Sequence, residues 1–132
     1  MSFAYKKYKD LDLTIFTLED LVELDDWLNS IDEYNRSGAT KLELYDLRKV
    51  SGEFKTAYAR QLHYNSSPKS SSRDEKARTA ILVTTPSAYG LARVYTAYAE
   101  ADGVPWKVEI FYSMEEACQW LGVDMKGVIP VP

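Results

Sequence analysis

Apolar and polar positions change period several times along the chain, which predicts strands that alternate with helices. Residues 11–15 alternate between apolar and polar, the two-residue period of a half-buried strand, so one or two strands should occupy residues 3–16. Leucine and isoleucine then recur at helical spacing as far as position 31. The sequence Thr-Leu-Glu-Asp at 17–20 is like a capping box with Asp in place of Glu, so we predict a helix over residues 17–34.

The middle of the chain repeats this alternation. Residues 41–47 have the apolar alternation of a strand, and a second helix is predicted over residues 51–64. Residues 65–76 are rich in serine and show no period, so we expect a mobile loop there. Three residues spaced four apart should form the buried face of the second helix: Phe54, Tyr58 and Leu62.

The last third of the chain has the shortest connections between its elements. A strand at 79–84 leads into a helix that Pro86 opens, and a strand at 106–112 leads directly into a helix at 113–121. Strands that alternate with helices in this way favour parallel pairing. The apolar tail, residues 123–132, is expected to lie over the sheet edge or the helices, and the alternative is an arm that completes a dimer.

The order and number of these elements predict the fold class. A chain of 132 residues has the length of one domain with one core, so we assign residues 1–132 to a single domain. The order β(β)αβαβαβα predicts an α/β fold, in which a central twisted sheet of four or five strands packs with about four helices.

Three stretches of the chain resemble the SpoIIAA-like family. They are Asp46-Leu47 at a strand end, Tyr-Gly-Leu-Ala-Arg-Val-Tyr at 89–95, and the helix ending that contains Ala117, Trp120 and Leu121. Members of this family are small STAS-type domains, related in fold to anti-sigma-factor antagonists and more distantly to the lipid-binding Sec14 fold. The resemblance implies a mixed, STAS-like sheet and a regulatory module that binds a protein partner.

The resemblance also allows one regulatory site to be checked. Anti-sigma-factor antagonists of this type carry a phosphorylated serine in Asp-Ser-Ser-Gly at a helix start, several residues after a strand ending in Asp-Leu. Counted from Asp46-Leu47, that motif falls at residues 54–57, where this chain has Phe-Lys-Thr-Ala. Lys55 replaces the usual acceptor, and only Thr56 keeps a hydroxyl group. We therefore expect that phosphorylation does not control this helix.

Charge is distributed unevenly along the chain. Seven of the 20 acidic residues lie between positions 19 and 33, where no Lys or Arg occurs, and residues 60–78 are basic. The net charge of −4 disfavours a nucleic-acid partner, and a dipolar surface suits docking to a charged protein, although solvated helix faces are commonly charged too. No run of about 20 apolar residues occurs, so we predict a cytoplasmic protein without a membrane span.

One cysteine and one histidine leave little catalytic or metal-binding chemistry. Cys118 shares a helical stripe with Met114 and Leu121, so it should be buried and inert. His63 is expected to be exposed at a helix end, where a cation suits the helix dipole. No nucleophile-elbow, P-loop or dinucleotide motif is present. We therefore predict no enzyme activity, no cofactor and no metal site.

The first candidate site follows from the predicted sheet. Ligands of open α/β sheets bind beyond the carboxyl ends of parallel strands, and three such ends lead here into helix starts, whose free N–H groups favour anions. For the hydroxyl groups, ordinary helix capping is the alternative role. The polar candidates in these loops are Arg48, Ser51, Thr85, Ser87 and Ser113.

Two further candidates involve tyrosine, of which the chain has ten. Tyr89 and Arg93 lie four apart on one helix face, where the guanidinium could bind a carboxylate or phosphate, and a surface cation–π pair is the alternative. Tyrosines also suit half-wet pockets, although a tyrosine-rich core boundary explains them equally. The residues that could edge such a pocket are Tyr58, Tyr95, Tyr98 and Tyr112.

The leading hypothesis is a non-catalytic regulatory or adaptor module that binds a protein partner. Its binding surfaces would be the acidic helix at 17–34 and the loop edge around Arg48, Ser51 and Thr85. The alternative is a carrier or sensor of a small apolar or amphipathic ligand in the tyrosine-edged pocket. The apolar tail and the many tyrosines also favour a homodimer.

Overall fold

A computed structural model describes residues 2–20, 23–51, 57–66, 73–124 and 126. A short 3-10 helix, Lys9–Leu11, joins the first two strands. The other elements are β1 (Ser2–Tyr8), β2 (Leu13–Asp20), α1 (Leu24–Ser37), β3 (Leu42–Val50), α2 (Ala57–Ser66), β4 (Arg78–Leu82), α3 (Pro86–Ala101), β5 (Lys107–Phe111) and α4 (Met114–Leu121).

The strands form one sheet in the order of the sequence, β1-β2-β3-β4-β5. β1 pairs with β2 in the antiparallel sense, and the remaining three pairs are parallel. Each parallel neighbour is reached through one helix, and because such crossovers are right-handed, α1, α2 and α3 lie on one face of the sheet. The predicted α/β fold, with a mixed sheet and four α-helices among the described residues, is confirmed.

The sheet separates two apolar cores. The larger core lies under α1, α2 and α3 and is centred on Phe16, which stacks on Tyr45 with ring centroids 4.2 Å apart. Tyr34 from α1 meets the same Phe16 ring edge-on, at a centroid distance of 4.8 Å. The smaller core lies under α4, where Ala117 and Cys118 pack with apolar residues of β2, β3 and β4.

The prediction of a helix starting at residue 17 is wrong, because residues 17–20 belong to β2. Leu18 fits both the two-residue period of the strand and the leucine stripe of the helix, so the sequence pattern is ambiguous at that position. The register between β2 and β3 shifts between Thr17 and Glu19, which is a bulge. The strand ends at Asp20, whose φ of 59° is left-handed, and α1 begins only at Leu24.

The prediction that the second strand is half-buried is also wrong. The run Leu13 to Phe16 is buried on both faces, because β2 lies between β1 and β3 and contributes to both cores. Thr14 is fully buried for this reason, and its hydroxyl lies 2.7 Å from the Thr40 hydroxyl. β2 is therefore a central strand although its sequence alternates between apolar and polar residues, because its polar Thr14 is hydrogen-bonded inside the protein.

A buried ion pair links β3 to the segment before β4. Arg73 Nη1 lies 2.9 Å from Glu43 Oε1, and both side chains are at most 6% exposed. Tyr34 donates to Glu43 Oε2 at 2.6 Å, and the Thr79 hydroxyl donates to Glu43 Oε1 at 2.9 Å. Burial and the Glu43 carboxylate raise the pKa of the Tyr34 hydroxyl, which therefore remains a donor at neutral pH. The Arg73 guanidinium also donates to the carbonyl groups of Thr40, Lys41 and Arg78.

Several sequence predictions fall wholly or partly outside the described residues. Phe54 and Thr56 are among them, as are residues 67–72 of the predicted loop and residues 127–132 of the tail. Of the predicted loop, residues 65–66 belong to α2, and Arg73 is buried in the ion pair above. None of the described helices is both long and apolar enough to cross a bilayer.

Candidate functional site

The carboxyl ends of β2, β3, β4 and β5 lie along one edge of the sheet, because these four strands are parallel. We call the described loops that follow them the carboxyl edge. The Ser51 N–H donates to the Asp20 carbonyl at 2.9 Å, and the Val83 N–H donates to the Phe111 carbonyl at 3.0 Å. These backbone hydrogen bonds join neighbouring strand ends, so the structure places the three predicted loops on a common edge.

Arg48 lies within β3, which runs to Val50, so the prediction that Arg48 belongs to a loop beyond the strand end is wrong. Its guanidinium holds the Asp46 carboxylate at two points, from Nε to Oδ1 and from Nη2 to Oδ2, each 3.0 Å long. This bidentate contact raises the pKa of Arg48. Arg48 would have to leave Asp46 before it could bind another anion.

The hydroxyl groups of the carboxyl edge cap helices. Thr85 Oγ1 accepts the Ala88 N–H at 3.2 Å at the start of α3, and Ser113 Oγ accepts the Glu116 N–H at 3.2 Å at the start of α4. Ser87 is half-buried in the first turn of α3. Thr85 and Ser113 therefore have the capping role that the sequence left open, which contributes about 1 kcal/mol for each helix.

The N-terminal end of α1 presents carboxylates beside the carboxyl edge. Glu23, Asp25 and Asp26 are exposed there, and Glu33 is exposed farther along the helix. We call these four residues the acidic surface of α1. Within the described residues, the first three form no ion pair, and Glu33 accepts a hydrogen bond of 3.1 Å from the Tyr5 hydroxyl. Carboxylates in a first helical turn are favoured by the helix dipole, so this position concentrates negative charge without destabilising α1.

A groove lies between α3 and β5. It encloses about 370 Å³, and Arg93, Ala97 and Glu100 form its α3 wall. The rings of Tyr89 and Tyr112 stack at its upper end, with centroids 6.0 Å apart. Tyr89 therefore pairs with Tyr112 in the structure, and Arg93 remains exposed on the wall of the groove. A second cavity of about 250 Å³ continues the groove toward Trp106.

The four tyrosines predicted to edge one pocket do not meet in a common cavity of the described structure. Tyr98 stacks on His63 with centroids 6.3 Å apart, Tyr112 lies at the α3–β5 groove, and Tyr58 packs against the larger core. Only Tyr95 borders the apolar cavity under α3, which encloses about 30 Å³. Pockets for small ligands measure roughly 300–1,000 Å³, so this cavity is far too small for such a ligand.

His63 is buried, contrary to the prediction of an exposed helix-end residue. Its ring is 1% exposed and lies between α2 and α3, with Nε2 2.5 Å from Asp102 Oδ2. Asp102 is the residue that ends α3, so this contact ties α2 to the end of the neighbouring helix. No local pattern reveals the pair, because the two residues are far apart in the chain.

Cys118 is buried, as predicted, and burial raises the pKa of its thiol. The part of the chain that the structure describes contains no group of three His, Cys, Asp or Glu residues arranged to hold a metal ion. The candidate surfaces are the acidic surface of α1, the carboxyl edge and the α3–β5 groove.

No family model matches the sequence, and no curated protein matches it significantly. Among solved structures, the chain is similar to that reported as "Structure of the Anti-Sigma Factor Antagonist SpoIIAA in its Unphosphorylated Form". The two superpose with a TM-score of 0.57 and 14% sequence identity, over 93% of this chain and 99% of the other. The chain has the SpoIIAA fold.

This match confirms the architecture that the resemblance implied. The likeness to SpoIIAA covers nearly the whole of both chains. At 14% identity it defines the fold alone, and one fold hosts many functions. The function therefore has to be argued from the surfaces of this chain.

Proposed function

We propose that the protein is a non-catalytic regulatory or adaptor module, which binds a protein partner through the acidic surface of α1 and the adjoining carboxyl edge. The observation that carries the proposal is the group of exposed carboxylates at Glu23, Asp25 and Asp26, which stand where α1 leaves that edge and form no ion pair with any described residue. The fold shared with an anti-sigma factor antagonist supports a regulatory role of this kind.

The chemistry of the surface defines the partner. A protein with a Lys- or Arg-rich face would complement the acidic surface of α1, and its association rate would fall as salt screens the charges. Nucleic acid is not a suitable partner, because its phosphates would be repelled by the same carboxylates. The partner we propose is therefore a basic protein surface.

The sequence also supports a difference from the phosphorylated antagonists. Phe, Lys, Thr and Ala occupy residues 54–57, and the acceptor position of the phosphorylated motif is Lys55. Thr56 lies outside the described residues, so this part of the proposal rests on the sequence alone. We propose that partner binding is independent of phosphorylation at this helix.

The carrier alternative has less support. Its predicted tyrosines are separated, and the apolar cavity of about 30 Å³ has room for roughly one or two water molecules. The α3–β5 groove is larger, but it is open along its side and has charged walls at Arg93 and Glu100. Neither cavity resembles the enclosed apolar site that an amphipathic ligand needs.

Reversing three charges of the acidic surface tests the proposal. The variant Glu23→Lys/Asp26→Lys/Glu33→Lys, used as bait in an extract of the source cells, should enrich the partner about tenfold less than the wild type does. The estimate assumes that each rim charge contributes about 0.5 kcal/mol, and quantitative mass spectrometry of the captured proteins measures it.

A second bait separates this effect from a general change of charge. Asp10→Lys/Glu75→Lys reverses two exposed carboxylates beside the amino ends of β2 and β4, at the opposite end of the strands from the carboxyl edge, and should capture the partner as well as the wild type does. Both variants should keep the melting temperature within a few degrees, since exposed substitutions change stability little. If no basic protein is lost specifically with the α1 variant, the acidic surface is not the binding site.

A further inference from the structure

β5 presents an open backbone edge. The sheet order places β5 last, and no strand within the described residues pairs with its outer side. The Lys107 N–H donates to the Ala77 carbonyl, and the Phe111 carbonyl accepts from the Val83 N–H, so residues 107, 109 and 111 direct their backbone groups toward β4. The N–H and C=O groups of Val108 and Ile110 therefore point outward, where an added strand could pair with them.

The side chains of β5 are also only partly covered. Val108 and Ile110 are half-buried on the face that carries α3, and they line the α3–β5 groove. Lys107 and Glu109 are exposed on the other face. An exposed edge strand of this kind is a template for strand addition unless something pairs with it. A strand that pairs with this edge must carry side chains complementary to those of β5, whose sequence is Lys-Val-Glu-Ile-Phe.

We propose that the outer edge of β5 pairs antiparallel with β5 of a second copy of this chain, forming a symmetric dimer. With the two-fold axis at Val108, the outward-pointing Val108 residues face each other as a hydrogen-bonded pair, and Ile110 pairs with position 106. In this register Lys107 lies opposite Glu109 of the second copy, and the symmetry forms this ion pair twice. The sequence of β5 is thus complementary to itself.

Helix α3 has a matching charge pattern. Arg93 and Glu100 are seven residues apart, so they share one face of α3, with the small Ala97 between them on the groove wall. The two cavities of the groove meet beside Val108, at the level of Thr96 and Glu100. Both charges therefore line the groove beside the β5 edge. The register itself rests on the Lys107–Glu109 pairing of β5.

Two other self-pairings are disfavoured by charge. An axis at Glu109 would place two glutamates directly opposite each other, which destabilises a cross-strand pair. At the other edge of the sheet, β1 carries Lys6 and Lys7 and no acidic residue, so pairing two copies of β1 would bring only like charges together. The β5 edge, with equal numbers of both charges on its strand and on its helix wall, therefore fits a second copy.

Charge exchange within β5 tests the dimer. Sedimentation equilibrium of the wild type should give twice the 15.1 kDa mass of one chain. Lys107→Glu alone and Glu109→Lys alone should each raise the dissociation constant by about tenfold or more, because each places like charges opposite each other twice. The double variant Lys107→Glu/Glu109→Lys exchanges the two charges and should restore the wild-type constant within about threefold.

Controls separate the β5 edge from other contacts. Lys6→Glu makes the same reversal on the opposite edge strand and should leave the dimer unchanged, and every variant should keep the circular dichroism spectrum of the wild type. Dilution of the wild type should speed hydrogen exchange at the Val108 and Ile110 amides. A monomeric wild type, a dimer that tolerates both single reversals, or a double variant that does not recover would each overturn the proposal.

Discussion

Replacing Arg73 by methionine should destabilise the protein by about 3–5 kcal/mol. The substitution keeps an unbranched side chain but removes the guanidinium, and it leaves the Glu43 carboxylate, which is 6% exposed, without its cationic partner. An uncompensated buried charge is among the few causes of such large losses. Urea unfolding followed by circular dichroism, with an unchanged m-value, would measure the effect.

The exposed Arg48–Asp46 contact provides a matched control for Arg73. Both arginines contact a carboxylate at close to 3.0 Å, but the Arg48 side chain is 38% exposed. Arg48→Met should therefore cost at most about 1 kcal/mol, as solvent-exposed ion pairs do. The double variant Arg73→Met/Glu43→Leu should recover part of the lost unfolding free energy, because it also removes the buried carboxylate that Arg73→Met leaves without a partner. Equal losses for Arg73→Met and Arg48→Met would contradict the buried network.

Replacing Phe16 by alanine should lower the free energy of unfolding by a comparable amount, about 3–5 kcal/mol. Phe16 is fully buried in the larger core, and its ring contacts four other aromatic rings, at centroid distances of 4.2 to 6.1 Å. Truncation leaves a cavity between α1 and the sheet that these rigid rings cannot easily fill. The four rings belong to Phe3, Tyr5, Tyr34 and Tyr45.

Phe111 gives the comparison for this second prediction. It is half-buried at the end of β5, and one aromatic ring, that of Trp120, contacts it at 5.4 Å. Phe111→Ala should therefore cost clearly less than Phe16→Ala in the same urea experiment. Equal losses of unfolding free energy for Phe16→Ala and Phe111→Ala would contradict the placement of Phe16 at the centre of the larger core.

The alternation of strands and helices could be predicted because the two periods are distinct over most of the chain. The prediction failed at Leu18, which suits either period and lies at a bulge that no local pattern announces. The two-sided burial of β2 was missed as well, since Thr14 looks like a solvent-facing position until Thr40 is seen beside it. Tertiary packing decided both cases.

Some features of the candidate site could also be predicted from the sequence, and others could not. The carboxyl edge followed from the expected parallel strands, and the capping roles of Thr85 and Ser113 followed from their places before helices. The pairs His63–Asp102 and Glu43–Arg73 could not be predicted, because each joins residues that are distant in the chain. The tyrosine pocket failed because side-chain type does not say which cavity a residue borders.

The acidic surface of α1 and the β5 edge lie near opposite edges of the sheet. α1 packs beside β1, the first strand, whereas β5 is the last strand of the sheet. A dimer through β5 would therefore leave the acidic surface of α1 free on both copies. Two such surfaces could engage a partner with paired basic sites and bind it more tightly than one copy does.

Hydrogen exchange of the protein alone and with its captured partner tests whether α1 and the carboxyl edge form the binding surface. We expect slower exchange in the complex over α1, residues 24–37, over the carboxyl end of β3 at residues 46–51, and over the start of α3 at residues 83–87. Exchange in α4 should be unchanged, because that helix covers the opposite face of the sheet. Protection confined to α4, with α1 and the carboxyl edge exchanging as they do in the free protein, would contradict it.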